Sequence, residues 1–417
     1  MNAPIRVIFV ENGIGYGGAA ICLRHLVRNL DPNRFDPMVV TGRTGANYEE
    51  IASEAKWRHI PDRRIEVTEI RRLIDEVRWF KKVPGLSWFI NQGVSRLDDA
   101  FNFLPFFIQF LVLCLRFRPA LIHVNNEPLC NRAALLVGKL LRIPTVCHVR
   151  GELTESRLVR WMYEQPDHFI PVSHWVSATI GKFGVPDRKR TVVYDGIDLG
   201  SLNLNARGEA FREQFNLNPN DFVVGLVGLL IPWKGQNLFL DAARELRDEI
   251  PNLKMPIIGG TPDECVAYEA ELRERVRAEG LEDVVVFTGH INDMPTVYNG
   301  LDVVVSASTS PEPLGTVVIE CMAMGRTLIA PNHGGGAEMG THDETALLFE
   351  PGNSADFAEQ VRRLAADPAL RERLGASARD KALRTFDVES HVVGVTKVYG
   401  NLLGISLDPP GEPTGAA

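Results

Sequence analysis

The stretch SPEPLGTVVIECMAMG, residues 310–325, decides how the C-terminal half of this chain is interpreted. Proline fixes its own backbone and disfavours helix at the residue before it, so Pro311 and Pro313 keep Glu312 extended. Gly315 then permits a turn, because glycine accepts backbone conformations that other residues avoid. The stretch therefore predicts an extended carboxylate, a glycine turn and a following helix.

The helix is predicted over residues 316–324, directly after that turn. The first amides of a helix have no acceptor within the helix, and the helix dipole makes that end positive. The amides of Leu314, Gly315 and Thr316 therefore offer a favourable place for a diphosphate.

Two carboxylates, Glu312 and Glu320, lie eight positions apart on either side of the turn. Glu320 is placed to bind neutral hydroxyls such as those of a ribose, and Glu312 a sugar on the other side of the phosphates. Either carboxylate alone is also typical of a helix cap or a solvated surface position. Their combination with the flanking Pro-Leu-Gly and Met-Ala-Met-Gly favours a site for each part of a nucleotide-sugar.

This stretch resembles the Glu-x7-Glu signature of the GT-B retaining glycosyltransferases of family 4. Other motifs resemble those of the family in the same order along the chain, from about residue 5 to about residue 390. They are Gly17-Gly18-Ala19, the run RPALIH at 118–123, VSHWV at 172–176 with VYDGID at 193–198, and Gly228-Leu229-Leu230 with Lys234-Gly235.

The chain alternates short β-branched apolar runs with helical patterns, which predicts β-α-β units and an α/β fold with two Rossmann-like, doubly wound domains. Strands are predicted in the first half at 5–10, 37–41, 121–125, 145–149, 168–172 and 191–194. After a polar linker at 202–220, strands are predicted at 222–228, 254–258, 284–288, 302–306, 327–330 and 346–349. Glycine-containing turns at 12–18, 228–235 and 312–315 follow predicted strands, where ligands bind in such sheets, which indicates one shared cleft.

The resemblance implies the GT-B architecture, in which two such domains face a central cleft. An N-terminal acceptor-side domain would span residues 1–200, and a C-terminal nucleotide-sugar-binding domain residues 201–387. The last helix, residues 388–403, would pack back onto the first domain. Residues 404–417, rich in proline and glycine, are expected to form a disordered tail.

The resemblance also assigns roles to single residues. Lys234 would bind the donor diphosphate, as a flexible point charge suited to phosphate oxygens. Leu229 stands where the family usually has arginine, so half of the cationic clamp is missing, and Arg150 is a candidate to compensate for it. His148 would orient the reacting sugar or the acceptor; alone, such a histidine is more often a structural hydrogen bonder.

The turn Gly13-Ile14-Gly15-Tyr16-Gly17-Gly18 also satisfies the dinucleotide pattern G-x-G-x-x-G. That fingerprint needs an acidic residue at the end of the second strand, and Thr41-Gly42-Arg43 has none. An NAD enzyme is therefore disfavoured, and Arg43 leaves only NADP as an alternative. In a glycosyltransferase the amides around Gly17 and Gly18 would instead approach a diphosphate or an acceptor.

Composition narrows the class of protein further. The 417 residues suffice for two domains, and the net charge of −8 argues against a general nucleic-acid binder. Six cysteines without a C-x-x-C pair, and a start without signal-peptide features, are typical of a reducing cytoplasm. No metal-binding motif is present, so we expect no metal and no cofactor beyond the donor substrate.

The segment 79–117 is rich in aromatic residues, and basic residues lie just before and among them. Residues 103–115 are too short to cross a bilayer and are interrupted by Pro105 and Gln109. Residues 106–115 can form a core helix; alternatively, residues 81–107 can lie in an anionic membrane interface. The second interpretation suits a lipid-linked acceptor and a peripheral position on the inner membrane face.

The sequence thus predicts a retaining, metal-independent glycosyltransferase that uses a UDP- or GDP-sugar and a glycan or lipid-linked acceptor. Glu312 and His148 are the predicted catalytic residues. The predicted donor-binding residues are Gly17, Gly18, Arg150, Lys234, Leu314, Gly315, Thr316 and Glu320. A sugar-nucleotide epimerase, a phosphorylase of the same fold and a non-catalytic sugar-nucleotide-binding protein remain as alternatives.

Overall fold

A computed structural model describes residues 3–13, 18–76, 86–151, 157–199 and 202–407. These residues divide into two compact units. One unit contains residues 1–172, 177–193 and 392–417, and the other contains 173–176 and 194–391. The predicted domain boundary at residue 200 lies seven residues beyond the point where the chain enters the second unit.

Each unit is built on a six-stranded parallel sheet. The first has the order β3-β2-β1-β4-β5-β6 and the second β12-β11-β10-β7-β8-β9. The strands of the first sheet are β1 Ile5–Glu11, β2 Phe35–Thr41, β3 Lys56–His59, β4 Leu121–Asn125, β5 Thr145–Val149 and β6 His168–Pro171. Those of the second are β7 Phe222–Val227, β8 Leu253–Ile258, β9 Val285–Gly289, β10 Val303–Val305, β11 Thr327–Pro331 and β12 Leu347–Phe349.

Helices connect the strands, as the right-handed crossovers of parallel sheets require. In the first unit they are α1 Gly18–Arg28, α2 Ala46–Glu49, α3 Val67–Glu76, α4 Leu86–Asp98, α5 Leu104–Phe117, α6 Arg132–Leu141, α7 Arg157–Tyr163 and α8 His174–Lys182, the last of which begins in the second. In the second unit they are α9 Gly208–Gln214, α10 Gln236–Leu246, α11 Val266–Ala278, α12 Met294–Gly300, α13 Thr316–Ala323, α14 Gly334–Met339, α15 Ser354–Ala366 and α16 Pro368–Thr385. The final helix is α17 Val388–Leu403.

For the first sheet, one predicted strand was wrong and one strand was not predicted. Residues 191–194 form no strand, although the amides of Thr191 and Val193 donate to carbonyls of β6. The sixth strand is instead β3, whose sequence Lys-Trp-Arg-His lacks the apolar run that marks the other strands. Because β3 is an edge strand, it needs no continuous apolar sequence.

The C-terminal helix contributes to the core of the first unit. Val395, Val398 and Tyr399 on α17 are buried in one cluster with residues of β1, β2 and α1. Leu407 belongs to the same cluster and is buried. Order therefore extends past residue 404, where the tail was expected to begin; residues 408–417 lie outside the described ones.

The polar linker predicted at 202–220 contains the helix α9 and packs into the second unit. Phe211 is buried, and the backbone of Gly208 lies so close to Asn299 that a Cβ would stand 2.3 Å from its carbonyl oxygen. The sequence favoured a linker because only one large apolar residue of this helix faces the core.

The aromatic segment forms a longer helix than predicted. A π-helical turn, Asp99–Phe103, joins α4 to α5, so that residues 92–117 form one helix, long and apolar enough by composition to cross a membrane. Such a helix is weak evidence for a span, because core helices meet the same criterion. Pro105 lies in the first turn of α5, where proline is tolerated, and Gln109 donates to the Pro105 carbonyl at 3.0 Å. The expected interruption at these residues was wrong.

Candidate functional site

The stretch 310–325 lies where β10 ends, at the carboxyl edge of the second sheet. Gly315 has φ 108°, a conformation that side chains rarely adopt, and α13 begins at the next residue. The Glu312 carbonyl accepts from the Gly335 amide at 2.7 Å, and the Pro313 carbonyl accepts from the Ser173 hydroxyl at 2.6 Å. The glycine turn and the helix expected from the sequence are thus present, and hydrogen bonds fix the backbone of Glu312 and Pro313 to neighbouring segments.

Glu312 and Lys234 form an ion pair on this edge. Their Oε1 and Nζ atoms are 2.8 Å apart, and each side chain is only 17% exposed. The Lys234 ammonium also lies 4.6 Å from the centre of the Trp233 ring. The Ser308 hydroxyl donates to the Glu312 carboxylate. An ammonium has three donors, so Lys234 can hold Glu312 and a phosphate oxygen at once.

The loop that carries Lys234 is fixed by a glycine with no room for a side chain. Gly235 has φ 80°, and a Cβ there would stand 1.9 Å from the Ala307 carbonyl oxygen. The Thr309 amide donates to the Trp233 carbonyl at 2.8 Å. These contacts hold the loops after β7 and β10 side by side, which brings Lys234 to Glu312.

The N-terminus of α13 presents amides beside this ion pair. The first bond at this end is donated by Val318 to the Gly315 carbonyl at 2.9 Å. The amides of Thr316 and Val317 therefore precede the first intrahelical bond, and anions bind well at such positions. The sequence predicted the amide of Thr316 here and missed that of Val317.

Glu320 lies about one turn inside α13 and accepts from the buried Tyr298 hydroxyl at 2.6 Å. Burial raises the pKa of Glu320, although the bond from Tyr298 opposes that shift. Burial also raises the pKa of Tyr298 well above its usual value, so the tyrosine is a donor to Glu320. The sequence gave no signal for Tyr298, which comes from α12.

The glycine run after His333 was expected to be a turn near the donor site. It starts the helix α14, and a Cβ on Gly335 would stand 2.1 Å from the Pro313 carbonyl oxygen. His333 contacts the Ser308 carbonyl through Nε2 at 2.9 Å. These residues therefore support the 310–325 stretch by close backbone packing.

Leu229 has a half-exposed side chain, and its carbonyl accepts from Gln236 at 2.8 Å. It follows β7 in the same loop as Lys234 and brings no charge to it. Arg150, predicted to compensate for it, belongs to the first unit, and that role stays a prediction.

The carboxyl edge of the first sheet holds a buried polar cluster. Glu11 is in register with Asn125, and Asn125 with His148, so β1, β4 and β5 deliver the three side chains together. The Glu11 carboxylate accepts from the Asn125 amide, from the Asn126 amide at 2.7 Å and from the Gly13 amide at 2.7 Å. Burial raises the pKa of Glu11.

Arg150 joins this cluster: its guanidinium donates to the Asn125 side chain and lies 3.4 Å from Nδ1 of His148. The structure thus brings the predicted His148 and Arg150 together. Glu11 was not predicted as a site residue, although an acid at the end of an apolar strand and before a glycine turn was a usable signal.

The glycine turn before α1 is only partly described. Gly18 is the first residue of α1, and a Cβ there would meet no atom of the described residues within 4 Å. Gly17 lies outside the described residues. Open space at Gly18 leaves room for a ligand to approach the backbone.

A recess in the first unit has both polar and aromatic walls. Asn12 and Asp62 line it, and each has a buried side-chain oxygen without a hydrogen-bond partner among the described residues; both oxygens lie close to Gly42. Phe103 and Arg132 line the same recess, and burial raises the pKa of Asp62. The Arg132 guanidinium lies 4.7 Å from the centre of the Phe103 ring, so the recess combines polar, charged and aromatic groups.

Another recess of the second unit lies away from this site. Phe222, Asp302 and Arg371 line it, at the amino-terminal ends of β7 and β10. Ligands of open parallel sheets bind at the carboxyl edge, so we assign no function to this recess. Across the described residues, no group of three or more His, Cys, Asp or Glu side chains is arranged to hold a metal ion.

Two family models match the chain. "Glycosyltransferase Family 4" matches residues 16–201 and "Glycosyl transferases group 1" matches residues 208–381. Together they account for most of both units.

Three curated relatives show the level of similarity. The lipopolysaccharide core biosynthesis mannosyltransferase LpcC of Rhizobium leguminosarum is 28% identical over 67% of this chain and 77% of its own. LpsB of Rhizobium meliloti, described in the same words, is 29% identical over 52% of this chain and 62% of its own. The D-inositol 3-phosphate glycosyltransferase of Streptomyces bingchenggensis is 28% identical over 53% of this chain and 50% of its own. The chain thus spans half to about three quarters of these relatives.

Solved structures share the fold. Anabaena HepE in complex with UDP superposes with a TM-score of 0.78 at 21% identity, covering 95% of this chain and 100% of that one. A glycosyltransferase of Rickettsia africae gives 0.81 at 16% identity, with 97% and 100% covered. The two parallel six-stranded sheets and these likenesses confirm the predicted fold class, and the two family models confirm the family: the chain belongs to the family 4, group 1 glycosyltransferases and has their GT-B fold.

Proposed function

We propose that this protein is a retaining glycosyltransferase that moves a sugar from a UDP- or GDP-sugar to a hydroxyl of a glycan or lipid-linked acceptor, without a metal ion. The observation that carries the proposal is the Lys234–Glu312 ion pair beside the N-terminus of α13, with Glu320 on the same helix. One short surface of the second unit holds a cation, helix-end amides and two carboxylates.

Each group suits one part of the donor. Lys234 and the amides of Thr316 and Val317 bind the diphosphate, and with them we place the predicted contacts of Leu314 and Gly315. Glu320 accepts from the ribose hydroxyls, and Glu312 from hydroxyls of the donor sugar. The donor is further supported by relatives whose names describe glycosyl transfer and by HepE, whose structures contain UDP and UDP-glucose.

The reaction breaks the bond between the anomeric carbon and the β-phosphate oxygen, and the nucleoside diphosphate leaves with the electron pair. Lys234 and the α13 amides stabilise the charge that grows on the phosphate, an effect that is usually the largest catalytic contribution. The acceptor oxygen attacks the anomeric carbon on the same face and passes its proton to the departing phosphate. The configuration of the sugar is thereby retained.

The acceptor side of the proposal rests on the first unit. We place the glycan in the recess that Asn12, Asp62, Phe103 and Arg132 line, because its walls are both polar and aromatic. His148, with Arg150 beside it, is the residue that we propose orients the sugar or the acceptor. The predicted contact of Gly17 and Gly18 with a diphosphate or acceptor stays part of this proposal.

The experiment is substitution of the two carboxylates, with donor affinity and turnover measured separately. Glu312→Ala should lower kcat roughly 100-fold or more, as loss of a group that acts in the transition state does. Nucleotide affinity should stay the same or increase, because Lys234 is then released to the phosphate. Glu320→Ala should weaken nucleotide binding instead.

Glu344→Ala, an exposed glutamate of the same unit, is the control and should change neither quantity. Unaltered transfer in both variants would remove the assignment. Tight nucleotide binding by the wild-type protein, without transfer to any acceptor, would favour a binding protein, for which the uncharged Leu229 is the supporting observation.

A further inference from the structure

The outer face of the helix formed by residues 92–117 is apolar and exposed. Only 22% of its most apolar stretch is buried in the protein. Six large apolar side chains, each between 40% and 55% exposed, recur every three or four residues along it, and we call them the apolar stripe. They are Leu97, Phe101, Leu104, Ile108, Val112 and Leu115.

The opposite face fastens this helix to the first unit. Phe106, Phe110 and Cys114 are buried there. The Asn102 side chain is buried too, and it accepts from the amides of Arg64 and Ile65 at 2.7 and 3.0 Å. A helix held in this way cannot be surrounded by lipid, so its apolar stripe can only lie on a membrane and not cross it.

Few polar groups interrupt the apolar stripe. Gln109 directs its amide to the carbonyl of Pro105, in its own helix, at 3.0 Å. This hydrogen bond pairs an N–H group of the side chain within the protein. An unpaired amide would be costly in an apolar phase.

The charges around the apolar stripe favour a partner with an anionic surface. The sequence from Ala100 to Arg118 contains no Asp or Glu. Arg116 and Arg118 are exposed at its end, and Arg6 joins them by donating to the Phe117 carbonyl at 2.6 Å. At the other end, Asp98 and Asp99 are ion-paired with Arg132 at 2.8 and 3.3 Å. Exposed arginines beside an apolar face are complementary to anionic headgroups above acyl chains.

We propose that the first unit binds the surface of an anionic phospholipid bilayer, with the apolar stripe in the acyl-chain boundary and Arg6, Arg116 and Arg118 at the headgroups. Exposed apolar patches of this extent mark interaction sites. The proposal concerns binding and does not depend on the reaction that the protein catalyses. It gives the predicted membrane contact of residues 79–117 a defined helix face; residues 77–85 lie outside the described ones.

The test is co-sedimentation of the full chain with vesicles, either of phosphatidylcholine alone or of phosphatidylcholine and phosphatidylglycerol in equal parts. Wild-type protein should bind the mixed vesicles, and less so as salt is raised, because salt screens the arginines. The double variant Leu104→Asp with Ile108→Asp should bind the mixed vesicles at least about tenfold more weakly. Val112→Asp with Leu115→Asp gives an independent second variant with the same expected loss.

The matched control carries the same changes on exposed apolar residues of the second unit, Val266→Asp with Leu383→Asp, and should bind like wild type. Arg116→Gln with Arg118→Asn should abolish the preference for the anionic vesicles. Melting temperatures verify that each variant is folded.

The proposal would be overturned if the wild-type protein did not bind mixed vesicles, or if both stripe variants bound them as strongly as the wild type. A wild-type dimer that the stripe variants dissociate while vesicle binding is unchanged would also overturn it, because a second copy would then be the occupant of the apolar stripe.

Discussion

At the scale of single residues, the donor site rests on pairs of groups that stabilise one another. Lys234 neutralises Glu312 at 2.8 Å, and Tyr298 donates to Glu320 at 2.6 Å. Since each carboxylate has a partner, both are held in place before a ligand arrives, and this reduces the ordering that binding requires. The two carboxylates differ in solvation, and burial raises the pKa of Glu320.

The raised pKa of Glu320 predicts a pH dependence of donor binding. Ribose hydroxyls donate to the ionised carboxylate, so binding favours loss of its proton. As pH falls below the pKa of Glu320, which lies above the usual 4.5, affinity for UDP-glucose should decrease by up to about tenfold per pH unit. The phosphates of UDP-glucose do not titrate in this pH range. A change in affinity measured by calorimetry across it therefore reports on groups of the protein.

In the Glu320→Gln variant, affinity should be weaker and nearly independent of pH over the same range. A wild-type affinity that increases on acidification would show that the protonated carboxyl binds the ligand, contrary to the assignment.

Leu229 provides a test by gain of function. Its side chain is half exposed in the loop that carries Lys234, so an arginine is tolerated there without burying a charge. Leu229→Arg should raise affinity for a sugar nucleotide about tenfold, because a second cation meets the diphosphate. Leu229→Gln, a polar but uncharged control, should have little effect. Equal affinities of the wild type and the arginine variant would place the diphosphate away from this loop.

At the scale of elements, the turn before α13 positions the helix-end amides. Gly315 has φ 108°, and a Cβ there would stand 3.3 Å from Cγ2 of Val318. The backbone conformation and the contact both disfavour any side chain at this position. The orientation of the first amides of α13 therefore depends on this glycine.

Gly315→Ala should lower the melting temperature and weaken nucleotide binding together, with a cost of about 1–3 kcal/mol in stability. Gly352→Ala is the matched control, since Gly352 has φ 79° with no atom within 4 Å of a Cβ. The control should lose some stability and keep its nucleotide affinity. Thermal denaturation and calorimetry distinguish the two effects; full affinity in Gly315→Ala would mean that the turn does not position the site.

The sequence predicted helices, strands and turns well where residues close to one another in the chain determine them. Two prolines and a glycine specified the segment from Glu312 to α13, and apolar runs specified eleven of the strands. It failed where tertiary contacts decide: β3 is a polar edge strand, and Tyr298 meets Glu320 from another helix. Glu11 was missed because its value as a site residue depends on Asn125 and His148, which only the register of the sheet brings beside it.

At the scale of the whole molecule, two separate surfaces have different roles in this account. We propose the donor site at the carboxyl edge of the sheet in the second unit. For the first unit we propose the acceptor recess and the apolar stripe, and the helix of residues 92–117 contributes to both. The chain ends in the first unit, where α17 contributes Tyr399, whose hydroxyl lies 2.7 Å from Nδ1 of His123. The chain therefore passes from the first unit to the second before residue 194 and returns to the first after residue 391.

The account depends above all on where a sugar nucleotide binds. Hydrogen exchange of the full chain, followed by mass spectrometry with and without saturating UDP-glucose or GDP-mannose, measures this directly. We expect at least one of the two to slow exchange at residues 314–317, because bound phosphate oxygens accept from those amides, and around Lys234, because its ammonium then holds the ligand. Protection confined to other segments, such as the recess around Phe222 and Arg371, would contradict the central claim.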